Sequence, residues 1–389
     1  MIAILAPGQG AQTPGMLSPW LELDGVGELV AGYSELAQLD LARLGTTATA
    51  EEIRDTAVTQ PLIVAMGLIT AGQLDFSGAT EHLVTAGHSI GEVTAASVAG
   101  ALTAEQAITF AARRGAEMAI ACQSPSTTMA AALGGEVDAV VAAIIARGLT
   151  PANRNGAGQI VAAGATEAID DLVANPPAGT RFRRLQVAGA FHTEYMRPAE
   201  LKLRTVAAEL QPSDPRQILL SNADGTAVTD GRTVLSRLVA QVTRPVRWDL
   251  CLNTMRELGV QASIELSPAK TLTGIAKREL PGIELITIKT PEDLASAQQL
   301  LAGVSDRQPP AADGRVVSTS SQGIFTRARG LQAGAAIVGG TRLGTVRTNR
   351  DELAIVAPVS GVLAEWFRND GDIVGAGLPV ARLSTGSEE

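Results

Sequence analysis

The feature that most constrains this chain is a short stretch in which a strand, a tight turn and a helix follow one another. Leu83–Thr85 is apolar and β-forming, Gly87-His88-Ser89-Ile90-Gly91 comes next, and Val93–Ala99 is an alanine-rich helical run. Glycine adopts backbone conformations closed to other residues, so the Gly-x-Ser-x-Gly pattern permits a sharp turn there. Such a turn thrusts the Ser89 hydroxyl outward, where the free N–H groups of a helix start converge. In a chain with 40 glycines the pattern also arises by chance. The strand-turn-helix context is what makes Ser89 a candidate nucleophile.

A mostly parallel sheet covered by helices supplies that context, and the first 302 residues follow it. Ile2–Ala6, Gln217–Ser221, Ala262–Leu266 and Leu285–Ile288 read as further strands, and Pro61–Leu74, Gly91–Ala99 and Ala104–Ala121 as helices. Between about 127 and 188 the rhythm changes. Strand Thr128–Leu133, helix Val137–Arg147, strands Pro151–Asn155 and Gln159–Ala163, helix Thr166–Ala174 and strand Arg181–Val187 give a βαββαβ order. That order predicts an inserted ferredoxin-like subdomain. Residues 303–313 are polar and contain Pro309-Pro310, as a linker does. Residues 314–389 alternate short β-rich runs with glycines, which predicts a small all-β module.

Composition excludes several functions. The 389 residues leave room for two or three domains of about 150 residues each. A formal net charge of −9 argues against a general nucleic-acid binder, which needs a basic footprint. Cys122 and Cys251 form no disulfide framework and read as small core residues. Ile2–Ala6 has no basic residue before it and reads as a buried strand rather than a signal peptide. No apolar run reaches the ~18 residues of a membrane span, so a soluble cytoplasmic protein without membrane contact is expected.

A serine nucleophile needs a base, and the chain has three histidines. His88 adjoins Ser89 and should point away from it. His82 precedes the strand and reads as surface. Elimination favours His192, in Gly189-Ala190-Phe191-His192-Thr193. On the helix after the turn, Ala107, Phe110, Ala111, Arg114 and Met118 share a face, whereas Arg113 has Glu117 one turn on as a surface partner. Arg114 has two readings: a buried structural ion pair, or a fork for a substrate carboxylate. Gly8-Gln9-Gly10-Ala11-Gln12 fails as a dinucleotide fingerprint because Thr13 stands where a third glycine belongs. Its better use is an N–H aimed at an oxyanion, with Gln12 and Ile90 as the expected donors.

Gly-Gln-Gly-Ala-Gln, Gly-His-Ser-Ile-Gly-Glu, Arg114-Gly115 with Met118, Asn153-x-Asn155 with Gln159, Ala190-Phe191-His192, and Gln241 with Pro245-Val246 stand in that order. Together they resemble the bacterial malonyl-CoA:acyl-carrier-protein transacylases over about Met1–Leu301. The resemblance implies transfer of a malonyl group from its coenzyme A thioester to the phosphopantetheine thiol of acyl carrier protein, in fatty-acid or polyketide synthesis. It implies an acyl-Ser89 intermediate with His192 as base, Arg114 on the malonyl carboxylate, and a backbone carbonyl at or beside Gln241 orienting the histidine. Phe191 suits malonyl over methylmalonyl units, as does Ile90 where methylmalonyl-selective relatives often carry Gln. The family's Gly-Pro-Gly-Lys turn is Ser267-Pro268-Ala269-Lys270 here, a departure that bears on the turn and not on the catalytic set. An acidic carrier protein would dock on positive charge, for which Arg181, Arg183, Arg184, Arg197, Lys202 and Arg204 are candidates; ordinary solvated surface is the other reading.

In the last region, Val356–Leu363 followed by Asn369–Val374 resembles half of a biotinyl/lipoyl-like barrel. The position of the modified lysine falls at Arg350, and no lysine occurs after Lys289. A swinging-arm carrier is therefore not expected, and no biotin, lipoate, metal or other cofactor is implied. Two rival readings stand beside the transferase: an α/β-hydrolase esterase, and a non-catalytic scaffold working through the barrel.

Overall fold

In the computed structural model, Ile2–Ala6 is an inner strand of a six-stranded sheet and all five of its residues are buried. The structure describes residues 1–305, 315–319, 321, 323–348, 351–374 and 379–384. They divide into two units, Met1–Gly303 and Val304–Glu389. The large sheet has the order Glu284–Thr287, Ala262–Glu265, Ile2–Ala6, Leu83–Gly87, Ile218–Leu220, Ala227–Val228. Every pairing is parallel except the last. Continuous apolar runs such as Ile-Ala-Ile-Leu-Ala belong in parallel strands because helices cover both faces.

Several elements differ from the sequence reading by one or two residues at their ends, and two differ by more, for physical reasons. The helix expected to start at Pro61 starts at Thr56, because the Asp55 carboxylate accepts the Ala57 N–H at 2.8 Å and caps it. The strand expected to run to Val187 is Thr180–Arg184. Leu185 still donates its N–H to the Met129 carbonyl at 2.9 Å; the chain then leaves the sheet, and Leu185 and Val187 line the cavity beside Ser89.

Within the first unit, a second sheet runs Thr180–Arg184, Thr127–Gly134, Ile160–Ala165, Thr150–Arg154, Val246–Arg247. Its first four strands are antiparallel neighbours and enclose Val140, Ile144, Ile169 and Leu172 from two helices. The fifth comes from outside the insertion, and pairs parallel with Asn153–Arg154. Main-chain pairing thus fastens the insertion to the rest of the unit beside the site.

The second unit contains two four-stranded sheets around Phe325, Leu343, Val346, Leu363, Val380 and Leu383. Arg342–Arg347 and Glu352–Val356 form an antiparallel pair, and the Thr348 N–H donates to the Asp351 carbonyl at 2.7 Å. Arg350, the position matched to a carrier lysine, lies outside the described residues, as does most of the expected linker. No helix among the described residues is long and apolar enough to cross a membrane.

Candidate active site

Ser89 sits at the C-terminal end of the strand Leu83–Gly87 with φ 54°, a left-handed conformation that costs a non-glycine residue about 1–2 kcal/mol. Its neighbours cannot carry side chains. A Cβ on Gly87 would fall 2.0 Å from the backbone of Gly91, and one on Gly91 would fall 2.2 Å from the Ala6 carbonyl. Asn222, fully buried, braces the turn from the next strand end. Its Oδ1 accepts the Ser89 N–H at 2.8 Å and its Nδ2 donates to the Gly87 carbonyl at 2.7 Å.

Ser89 Oγ lies 2.8 Å from His192 Nε2, and His192 Nδ1 lies 2.8 Å from the Gln241 carbonyl oxygen. A carbonyl only accepts, so Nδ1 carries the proton and Nε2 of the neutral ring faces the serine as acceptor. Burial, reinforced by the positive charge of Arg114, pushes the His192 pKa down to about 3. His192 itself has φ 61°, so His192 and Ser89 are both held in left-handed backbone. His88 points elsewhere: its Nε2 is 2.8 Å from Asn155 Oδ1 and its ring meets Trp248 edge-on. His82 does not line the cavity.

Arg114 is 1% exposed, and its two readings separate here. Nη1 donates to Gln60 Oε1 at 2.6 Å, while Nη2 donates to Gln241 Oε1 at 2.8 Å and reaches Ser89 Oγ at 3.5 Å. Among the described residues no carboxylate pairs with it, so the structural ion pair is not what is seen. Burial lowers its pKa to about 9, partly offset by the charge of Glu92. A buried cation held by neutral amide oxygens and a hydroxyl is stabilised by an incoming anion. The Gln241 side chain turns its other end to the Glu92 carboxylate, the Ser89 carbonyl and Asn222 Oδ1. Gln241 therefore orients His192 through its backbone and Arg114 through its side chain.

These groups open into a cavity of about 260 Å³ that Asn153, Asn155, Gln159 and Phe191 also line. One expected residue is misplaced. Gln9, not Gln12, lines the cavity, because the chain turns away at Gly10 (φ 104°) and the Gln12 side chain folds back to accept the Gly10 N–H at 2.7 Å. The only sequence signal for Gln9 was its position between two glycines, which let backbone approach backbone. Neither the Gln9 N–H nor the Ile90 N–H has an acceptor among the described residues. The Ile90 side chain is buried and does not line the cavity. Asn222 and Gln60 were not singled out from sequence, and nothing local marks them.

The surface expectations fare unevenly. Arg113 is exposed without an ion pair to Glu117 among the described residues. Of the proposed docking cluster, Arg184 pairs with Asp170, Arg197 with Glu194 and Glu200, and Arg204 with Glu200. Arg181, Arg183 and Lys202 are exposed and carry no ion pair among the described residues.

The histidine geometry gives a pH prediction. A depressed pKa keeps His192 neutral, and competent as a base, far below the ~6.5 of a free imidazole. The acylation kcat/KM is therefore expected to show no acid limb from His192 between pH 5.5 and 7.5, roughly one unit either side of that value. Burial raises the Glu92 carboxyl to about 7, so a limb in that window would come from Glu92 and should vanish in Glu92→Gln. A limb near 6.5 that survives Glu92→Gln would refute the buried-neutral histidine.

Comparison with known proteins now identifies the family. The family described as "Acyl transferase domain" matches residues 5–288. The malonyl CoA-acyl carrier protein transacylase of Mycobacterium tuberculosis is 52% identical over 296 residues, covering 76% of this chain and 98% of the relative. The crystal structure of MCAT from the same organism superposes with a TM-score of 0.75 at 51% identity, covering 77% of this chain and 99% of that one. A type II PKS acyl-carrier protein in complex with its malonyl-transacylase is a further likeness, at 27% identity and a TM-score of 0.72, covering 77% of this chain and 99% of that one. By sequence, by fold and by the shared length of both, the chain belongs to the acyl transferase domain family and, within it, to the malonyl CoA-acyl carrier protein transacylases.

Proposed function

We propose that Ser89 carries a malonyl group between coenzyme A and the phosphopantetheine thiol of an acyl carrier protein. Ser89 Oγ attacks the thioester carbonyl as His192 Nε2 takes its proton. The tetrahedral oxyanion rests on the Gln9 and Ile90 N–H groups, a type of interaction whose loss costs about 10²–10³ in rate. Collapse expels the coenzyme A sulfur, which leaves as the thiol with the proton from His192. In the return half, His192 deprotonates the carrier thiol, the sulfur attacks the malonyl ester, and Ser89 Oγ leaves with that proton.

The observation that carries the reading is Arg114: a buried guanidinium without a carboxylate partner among the described residues, 3.5 Å from the nucleophile. It fits an acyl group that ends in a carboxylate, and it has no task in a general esterase. Phe191, buried on the cavity wall, leaves little room for an α-methyl branch, although one methyl is worth only about 1–3 kcal/mol. The carrier partner rests on the family and on the relative solved with its carrier protein.

We take residues 1–302 as the transferase. The insertion is ferredoxin-like, as its antiparallel 4-1-3-2 strand order supports. Residues 314–389 form a biotinyl/lipoyl-like barrel without a lysine, supported by their two four-stranded sheets. We expect a cytoplasmic enzyme that needs no bound cofactor. Intact mass after brief exposure to malonyl-CoA tests the function: a single malonyl adduct that discharges onto holo carrier protein is expected. Hydrolysis without transfer would replace the reading with the esterase.

A further inference from the structure

Glu200 stands apart from the other acids of this chain. Among the described residues, every other acid in an ion pair has a side chain at least 23% exposed, whereas that of Glu200 is 3% exposed. Burying a carboxylate is costly unless it is well partnered. Glu200 has three donors. Its Oε1 accepts Arg204 Nη2 at 2.6 Å, and its Oε2 accepts Arg197 Nη1 at 2.6 Å and the Thr243 hydroxyl at 2.7 Å. Burial alone raises its pKa, but these partners outweigh burial and hold the carboxyl below its ordinary value, so it is ionised at neutral pH. The two arginines lie three residues before it and four after it, and would pair equally well with an exposed glutamate. Thr243 is 4% exposed, and an inward-facing carboxylate is what reaches it.

Thr243 closes the short turn Gln241–Thr243, whose first carbonyl orients His192. That carbonyl is shared: it accepts the His192 Nδ1 proton at 2.8 Å and the Arg244 N–H at 3.2 Å. A single 3-10 turn has poor hydrogen-bond geometry, and opening it would swing the carbonyl off the histidine. Glu200 lies on the helix Arg197–Glu209, which follows His192 after one short turn. The Glu200–Thr243 bond therefore ties the segment that carries the histidine to the segment that carries its acceptor. The Thr243 hydroxyl has one proton, and the charged oxygen at 2.7 Å takes it in preference to the Ala240 carbonyl at 3.1 Å.

We propose that Glu200 is a positioning residue for acyl transfer: through the Thr243 hydroxyl it holds the Gln241 carbonyl on His192 Nδ1, and so keeps Nε2 aimed at Ser89. The proposal rests on the reading of Ser89 and His192 as nucleophile and base. Neither Glu200 nor Thr243 lines the catalytic cavity, so a change at either reaches the reaction through the histidine and leaves substrate contacts in place.

The test measures Ser89 acylation by malonyl-CoA in the full-length chain, together with the tautomer of His192 from its ring nitrogen NMR shifts. With three histidines in the chain, that spectrum is simple to assign. Glu200→Ala and Thr243→Val are each expected to lower the acylation kcat about tenfold with KM unchanged, the scale of a small misplacement of a reacting group. Both should turn the single Nδ1–H tautomer of His192 into a mixture. The double variant should lose no more than either single one, because both break the same bond. Glu200→Gln keeps an acceptor oxygen for Thr243, and the arginine side chains, 40% and 63% exposed, can turn to water, so this variant should stay near wild type, as should Thr243→Ser. A lower melting temperature in Glu200→Ala with rate and tautomer unchanged would assign Glu200 to stability alone and overturn the proposal. An equally large loss in Glu200→Gln would also overturn it, by pointing to the charge in place of the bond. Failure of the wild type to be acylated would defeat the nucleophile reading instead, and the tautomer, which needs no substrate, would still judge Glu200.

Discussion

Ser89→Ala is expected to take up no malonyl group and to lose about 10⁴-fold or more in transfer rate, as removal of a catalytic serine does elsewhere. The prediction is sharp because the site offers no substitute nucleophile. Neither Cys122 nor Cys251 lines the cavity, and burial pushes both thiols up, away from the reactive thiolate. Thr271 borders the cavity, but among the described residues its hydroxyl has no hydrogen bond to His192 that would activate it. Alanine also preserves the turn. The strain at φ 54° is a matter of Cβ, which both residues have, and Asn222 grips the backbone N–H, which the substitution leaves in place. Intact mass after malonyl-CoA exposure is the measurement, with circular dichroism to show an unchanged fold. Equal labelling of wild type and variant would remove Ser89 from the mechanism.

What was legible in the sequence was what neighbouring residues determine together. The turn around Ser89 could be read because strand, glycines and helix are contiguous. The helix Ala104–Ala121 has the expected limits because Thr103 and Gln106 form a reciprocal cap at its start. The two-residue strands Ala227–Val228 and Val246–Arg247 were invisible, since so few residues show no period. The site follows the same rule. Ser89, His192 and Arg114 carry their chemistry in their side chains and could be picked out individually. Asn222 is an asparagine 133 residues from the N–H it holds, and only the completed fold gives it work. Gln9 and Gln12 are the same residue three positions apart. Which of them faces the serine depends on one positive φ at Gly10, and spacing does not encode that.

Arg114 provides the other large effect, and it separates recognition from chemistry. Arg114→Ala is expected to lower kcat/KM for malonyl-CoA by about 10²–10³, the scale for removing one partner of a buried charge pair. Acetyl-CoA, which lacks the carboxylate, should gain relative to malonyl-CoA. The expected ratio follows from the contacts. The guanidinium meets Ser89 Oγ only at 3.5 Å, whereas its firm bonds run to the amide oxygens of Gln60 and Gln241. Losing it leaves those two oxygens without their donor, at some cost in stability, but keeps the Ser89–His192–Gln241 carbonyl chain intact. Arg114→Lys tests the geometry of the fork: it restores the charge and, with a single ammonium in place of two parallel donors, should recover only part of the malonyl rate. Rates for both acyl donors in each variant decide the matter. An equal fall with malonyl and acetyl groups would mean that Arg114 serves the serine or the fold, and the carboxylate on the substrate would then need another partner.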